Sequence, residues 1–221
     1  MLLSRRRFAA LGASGLASTA LISLLSRSDP AWAQAAQSGP AQAGETVETE
    51  SWAVQLIRAA ESQIGVTVRY DGGYRRIAFP GGDIDRSVGV CSDVVIRAYR
   101  DAFGFDLQQA VNRDMKKAFS AYPKAWGLAR PDSNIDHRRV LNLERFFLRR
   151  SADLPKPDDP SGYRPGDLVT LRVGSNLPHI AIISDRRSAD GKRPLVVHNI
   201  GAGTRTEDTL EVFPAIYRFR F

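Results

Sequence analysis

The chain has 221 residues, of which 43% are hydrophobic and 25% charged. These values allow one packed domain and exclude a disordered tail or a collagen-like fibre; the single cysteine excludes an intrachain disulfide. The formal charge is +7, but the first 33 residues hold four of the basic residues and one acid, leaving an excess of four behind them. So mild an excess, without a Lys/Arg block interleaved with aromatics, argues against a nucleic-acid partner and suits, weakly, a substrate with carboxylates.

The N-terminus runs Ser4-Arg5-Arg6-Arg7-Phe8, then a Gly-, Ala- and Ser-rich apolar run from Ala10 to Leu25, then Ala31-Trp32-Ala33. A basic start, an apolar middle and an A-x-A exit form a secretory signal over residues 1–33, and the Ser-Arg-Arg-x-Phe start resembles the twin-arginine export signal. The run is short for a membrane span. The expectation is cleavage after Ala33, periplasmic or otherwise exported localisation, and no stable span afterwards. Residues 34–50 read as a flexible lead-in and residues 51–221 as a single domain.

Helical periodicity dominates the first half of that domain. Trp52, Leu56, Ile57, Ala60 and Ile64 share a face behind Ser51 as N-cap. Cys91, Val94, Val95, Ala98 and Ala102 form a second stripe that Gly104 stops. Asp106 caps a third helix striped by Leu107, Val111 and Met115, and Asp136 caps a fourth over about 137–150. The period then changes. Residues 167–173, 179–184, 195–200 and 215–221 are short β-rich runs separated by Gly-containing turns. Helices first and strands second predict an α+β fold with an antiparallel sheet.

An exported protein with a lone thiol carries it into an oxidising space, so its presence asks for a reason. Cys91 follows Gly89-Val90 at a helix start, where N–H groups and the helix dipole favour a thiolate and can hold an oxyanion. The same cysteine also fits as a small buried hydrophobe. A thiol nucleophile needs a base. His179 opens one predicted strand and His198 ends the next. If opposed residues of that hairpin have indices adding to an odd number, the two imidazoles share a face; an even sum puts Asn199 on the face of His179. His137, at a predicted helix start, reads as structural or substrate-facing. Arg97, Arg138 and Arg139 read as clamps for a substrate carboxylate or as residues rimming the core. No metal-binding, P-loop or dinucleotide motif appears, so no metal and no cofactor is expected.

Several motifs are long and specific. Tyr70-Asp71-Gly72-Gly73-Tyr74, Pro80-Gly81-Gly82-Asp83, Gly89-Val90-Cys91-Ser92-Asp93, Asn134-Ile135-Asp136-His137-Arg138-Arg139, Pro165-Gly166-Asp167-Leu168-Val169 and His198-Asn199-Ile200-Gly201 resemble the domain-of-unknown-function 1287 family, over about 51–221. That family looks like a branch of the NlpC-type, papain-like cell-wall peptidases. The resemblance implies a papain-like fold with helices packed on a C-terminal antiparallel sheet. By it, Cys91 is the nucleophile, His179 the base, His198 the orienting third member, and Tyr70 a support for the oxyanion site. Where those peptidases read Asp-Cys-Ser-Gly, this chain has Asp93 two residues after the cysteine, placed to cap the helix or to face the substrate.

The expected function is therefore an exported cysteine hydrolase that cleaves an amide in peptidoglycan peptides through Cys91, His179 and His198, with Tyr70, Asp93 and Asn199 at the oxyanion or substrate. Two alternatives stand beside it: an ester hydrolase or acyltransferase using the same residues, and a non-catalytic cell-envelope binding module with a packed cysteine.

Overall fold

The computed structural model describes residues 43–221. The expected signal segment 1–33 lies outside them. Four α-helices occur among the described residues: α1 (Ala43–Glu61), α2 (Cys91–Phe103), α3 (Leu107–Ala118) and α4 (Val140–Arg149). The strands are β1 (Arg69–Tyr70), β2 (Val88–Gly89), β3 (Asp153–Leu154), β4 (Leu168–Val173), β5 (Leu177–Arg187), β6 (Pro194–Asn199), β7 (Thr204–Glu207) and β8 (Tyr217–Phe219). β1 and β2 pair in parallel. The other six form an antiparallel sheet in the order β3-β8-β4-β5-β6-β7. The fold is α+β, helices first and sheet second.

Two boundaries differ from the sequence reading. α1 begins at Ala43, inside the segment read as a flexible lead-in; the good helix formers Ala43, Glu45, Glu48 and Glu50 favour that. Asp136 does not cap the fourth helix. It opens a 3-10 turn over Asp136–Arg138, and α4 starts at Val140 with Arg139 as N-cap. The Asp136 carboxylate instead accepts the Asp132 N–H at 2.6 Å and pairs with Arg139 at 3.0 Å. Ser51, read as the N-cap of the first helix, falls inside α1, and Ile64 lies beyond its end; elsewhere the predicted punctuation matches, since Asp106 accepts the Gln108 N–H and Gly104 closes α2 in the left-handed region at φ 63°.

The alternation of β4, β5 and β6 sorts the core into two layers. Leu168, Ile180, Ile182 and Val197 face the helices, where they meet Leu56 and Ile57 of α1, Val94 and Val95 of α2, and Phe146 and Phe147 of α4. Val169, Leu171, Ala181, Ile183 and Val196 face the other way and are covered by Tyr163, Leu210 and Ala215. Both faces are buried, which is why these strands read as nearly continuous apolar runs. Each fully buried Leu, Ile or Phe contributes about 2 kcal/mol, so the helix-side layer supplies most of the cohesion. α2 lies against β5 and β6, and this packing brings its first turn to the strand ends that carry the histidines.

Candidate active site

Cys91 is the first residue of α2 and is buried, yet it lines an open cleft of about 550 Å³. The backbone before it is closely stitched. Tyr70 of β1 lies opposite Gly89 of β2, and the Gly89 carbonyl accepts from the Asp71 N–H and from Nδ2 of Asn199. A Cβ on Gly89 would stand 3.1 Å from Arg97 Nη1 and 3.3 Å from the Asp93 side chain, so glycine is what the space allows. Gly203, at φ +88°, packs its Cα side against the Thr67 and Val68 backbone, and the Thr204 N–H donates to the Thr67 carbonyl. The β6–β7 turn is thereby fixed to the segment that leads into Tyr70.

Asp93 occupies the third position of α2. Its Oδ2 accepts the Val90 N–H at 2.7 Å, the return half of a capping box. Both its oxygens also take a fork from Arg138, Nε at 2.9 Å and Nη2 at 2.9 Å. Arg138 goes on to donate to the Asp71 and Gly73 carbonyls. Of the two roles open to Asp93 in the sequence, the structure shows the cap: the side chain is buried and holds the 71–73 loop beside the thiol through Arg138. Arg97 is equally committed. Fully buried, it pairs with Asp83 at 3.0 Å and donates to Thr67 Oγ1 and the Val88 carbonyl.

The polar groups close enough to the sulfur to act on its acidity are the Tyr70 hydroxyl and the backbone N–H groups of Ser92 and Ile180. Burial pushes the Cys91 thiol up to about 11; the Ile180 N–H works against it, the nearby Asp93 adds to it, and the Ser92 N–H and Tyr70 oppose it. The sequence reading of a thiolate stabilised at a helix start therefore needs correction. Lost hydration outweighs the dipole, and the resting group is a neutral thiol. Tyr70 is 45% exposed as a residue, but its hydroxyl end lies inside, where burial and the neighbouring sulfur keep it protonated.

The sheet supplies the imidazoles. Ile182 opposes Val197 and Ile183 opposes Val196, so the indices of opposed residues add to an odd number and His179 and His198 share a face. His179 Nε2 lies 2.9 Å from His198 Nδ1, with the rings edge to face, and His198 Nε2 lies 2.9 Å from Glu207 Oε2 on β7. His179 opposes Leu171, in the layer turned away from the helices, so its ring bonds to His198 on the face of the sheet away from α2, outside the lining of the Cys91 cleft; the sequence reading that puts His179 against the thiol is not met by this arrangement. The residue after His179, Ile180, has its N–H near the sulfur. The network assigns the protons: the Glu207 carboxylate accepts from Nε2 of His198, neutral His198 then accepts at Nδ1, and His179 donates from Nε2. The lone pair of His179 is thereby left on Nδ1. Burial, and secondarily His198, push His179 down to about 3; burial lowers His198 as well, against the pull of Glu207. Both imidazoles rest neutral.

Asn199 lies on the opposite face from His198 and bridges the Gly89 carbonyl and the Gly201 N–H; it braces the backbone rather than the imidazole. His137 is buried with Nδ1 unpartnered, and burial pushes it down to about 4. It is a neutral residue of the interior. No sequence pattern singles out Glu207, because the polar run Thr204-Arg205-Thr206-Glu207 has no apolar alternation to mark a strand. Placing a hairpin at Gly201-Ala202-Gly203 puts Glu207 diagonally across from His198 and would have found it. Among the described residues no group of three or more His, Cys, Asp or Glu side chains is placed to hold a metal ion, and no helix is long and apolar enough to cross a membrane.

Helices followed by a six-stranded antiparallel sheet make this an α+β domain; its family follows from sequence comparison. Residues 57–221 match the family described as "Domain of unknown function (DUF1287)", and the chain belongs to that family. It is similar to the "Uncharacterized protein YijF" of Escherichia coli (strain K12), 44% identical over 206 residues, which cover 93% of this chain and 98% of that protein.

Proposed function

We propose that the chain is an exported cysteine hydrolase with a papain-like, NlpC-type fold that cleaves an amide bond in peptidoglycan peptides. The observation that carries the reading is one constellation. A cleft-lining thiol at a helix start lies beside the N–H of Ile180, and the residue before Ile180, His179, is joined through His198 to the Glu207 carboxylate. The peptidoglycan substrate rests on the family resemblance, and the export route on the N-terminal Ser4-to-Ala33 pattern.

Because thiol and imidazole both rest neutral, the proton leaves sulfur as the C–S bond forms, not before. Sγ of Cys91 attacks the carbonyl carbon, its proton passes to the base, a role that the family resemblance alone gives to His179, and the carbonyl pair becomes an oxyanion held by N–H groups at the start of α2 and the Tyr70 hydroxyl. The C–N bond then breaks, and the amine leaves with the proton from His179. Water attacks the thioester, giving a proton to His179; the sulfur departs and recovers that proton, and a carboxylic acid is released. His198 and Glu207 hold the ring in the tautomer this cycle needs and offset the charge that forms on it.

The test is digestion of purified sacculi, with released peptides read by mass spectrometry, and a parallel assay on ester substrates. Peptides with a new amino end from the wild type and none from Cys91→Ser support the reading. Ester cleavage without peptide release moves it to the ester hydrolase or acyltransferase. The raised thiol, and the bonding of His179 to His198 in place of the sulfur, favour one further reading: a non-catalytic envelope-binding module. In that case Cys91→Ala leaves binding to sacculi intact and no variant loses a product.

A further inference from the structure

The three arginines that the sequence offers as carboxylate clamps have different fates. Arg97 is fully buried and committed to Asp83, Thr67 and the Val88 carbonyl. Arg138 is committed to Asp93 and two loop carbonyls. Arg139 is not. It lines the same cleft as Cys91, its guanidinium lies 4.2 Å over the Trp126 ring, and its one hydrogen bond among the described residues is from Nη1 to Asp136 Oδ1 at 3.0 Å. A guanidinium has five N–H donors in a planar fork, so most of them remain unspent. Trp126 fixes the plane of that fork, which reduces the ordering cost of a second, bidentate partner.

The surroundings favour an anion. The cleft lining includes two arginines and no acidic side chain. Arg138 is held by a two-pronged Asp93 fork, whereas Arg139 meets Asp136 through a single N–H, so Arg139 is the cleft arginine with donors left for a further anion. Burial lowers the Arg139 pKa in spite of Asp136 and Asp132, so those neighbours do not fully offset its lost hydration. Val140 and Leu141, the first turn of α4, line the cleft as well, and the first N–H groups of a helix lack intrahelical acceptors. Beyond Tyr74 a second hollow carries Arg76 and Arg130 against a single acid, Asp132, which already accepts from Tyr74 and Asn134.

We propose that Arg139 is the anion anchor of this cleft and that the substrate carries a carboxylate, bound bidentately by Arg139 against Trp126, on the part of the molecule that lies alongside Cys91. The proposal deepens the hydrolase reading and rests on it for the word substrate; the anion site itself can be tested apart from it. Arg139 is a specificity-determining residue, and loss of its charge lowers kcat/KM for carboxylate-bearing peptides more than for their amides.

The test compares two probes of similar size at Cys91, iodoacetate and iodoacetamide. Both need the same thiolate, so the ratio of their rates is independent of the thiol pKa. Relative to free cysteine at the same pH, the wild-type ratio is expected to favour iodoacetate by about tenfold, the size of one charge-assisted contact. Arg139→Gln returns it to within about twofold of free cysteine, and Arg139→Lys, which keeps the charge facing Asp136, retains part of the preference. Far-ultraviolet circular dichroism confirms that the variants fold. An equal ratio in wild type and Arg139→Gln overturns the proposal. A second arm uses Cys91→Ala protein and follows the Trp126 indole resonance with N-acetylalanine and with its amide. A shift with the acid alone, lost in the Arg139→Gln background, supports the site even if Cys91 resists both reagents, an outcome that would sink the hydrolase reading only. Labelling by iodoacetamide with neither ratio nor shift dependent on Arg139 leaves the hydrolase and removes the anchor.

Discussion

The two halves of the candidate site are built by different physics. The helix-borne half, Cys91 with Asp93 and Arg138, is held by buried charge: Asp93 and Arg138 are each nearly inaccessible, and their fork ties the start of α2 to the 71–73 loop. The strand-borne half, His179 with His198, holds no full charge inside and is a chain of neutral rings ending on Glu207, which is 35% exposed at its side chain. Damage to the first half should be felt as lost folding. Damage at the far end of the second should be felt as lost chemistry in a protein that still folds.

The largest effect expected is on turnover. Cys91→Ser and His179→Ala each lower kcat by about a thousandfold or more while leaving a cooperative melt, since residues that act as one unit each carry nearly the whole effect. Equal losses in the two single variants and in the double variant would join the halves into one machine; additive losses would separate them.

Next is the buried fork. Asp93→Asn leaves Arg138 charged and unpaired and costs about 3 kcal/mol or more of stability, measured by urea unfolding. A change of less than about 1 kcal/mol would mean that the cap and not the charge holds the loop.

Acid acts on the buried imidazoles. The native His137 sits at about 4 and His179 at about 3, against an ordinary 6.5, both because of burial. The unfolded chain therefore binds more protons between about 4 and 6.5, and stability, fully present above 6.5, falls as the pH drops through that window. His137 alone accounts for about 3 kcal/mol by pH 4. His137→Gln should flatten the dependence of the melting temperature on pH, and an unchanged slope would place the acid sensitivity elsewhere.

The smallest effect is at the exposed end. Glu207→Gln weakens the hold on the His198 tautomer and lowers kcat by about tenfold, with the melting temperature moving by no more than about 2 °C. A loss of stability without a loss of rate would make Glu207 a structural residue and end the relay at His198.

The sequence revealed the first half more fully than the second. The stripe behind Cys91, the Gly104 stop and the Asp106 cap are local signals, and each lies where the sequence predicts. The fork from Arg138 to Asp93 joins residues 45 apart, which no local pattern carries, although an acid at the third helical position is a capping signature. His179 and His198 are visible as strand-end residues, but whether they share a face depends on the parity of the hairpin register, which the sequence leaves open; the irregularity between Ile183 and Arg187 shifts that register by two and leaves its parity unchanged. Glu207 was missed because a four-residue polar edge strand has no apolar alternation to announce it. Asp136 misled because its carboxylate found the Asp132 N–H in a 3-10 turn before it could cap α4.

The most direct test of the account is to intercept the thioester. Purified protein is mixed with peptides released from sacculi, quenched in acid within seconds, and the peptide containing Cys91 is weighed. The account predicts an added acyl mass on Cys91 that hydroxylamine removes and that Cys91→Ser never acquires. Product formed at the wild-type rate by Cys91→Ser, with no adduct in either protein, would contradict it.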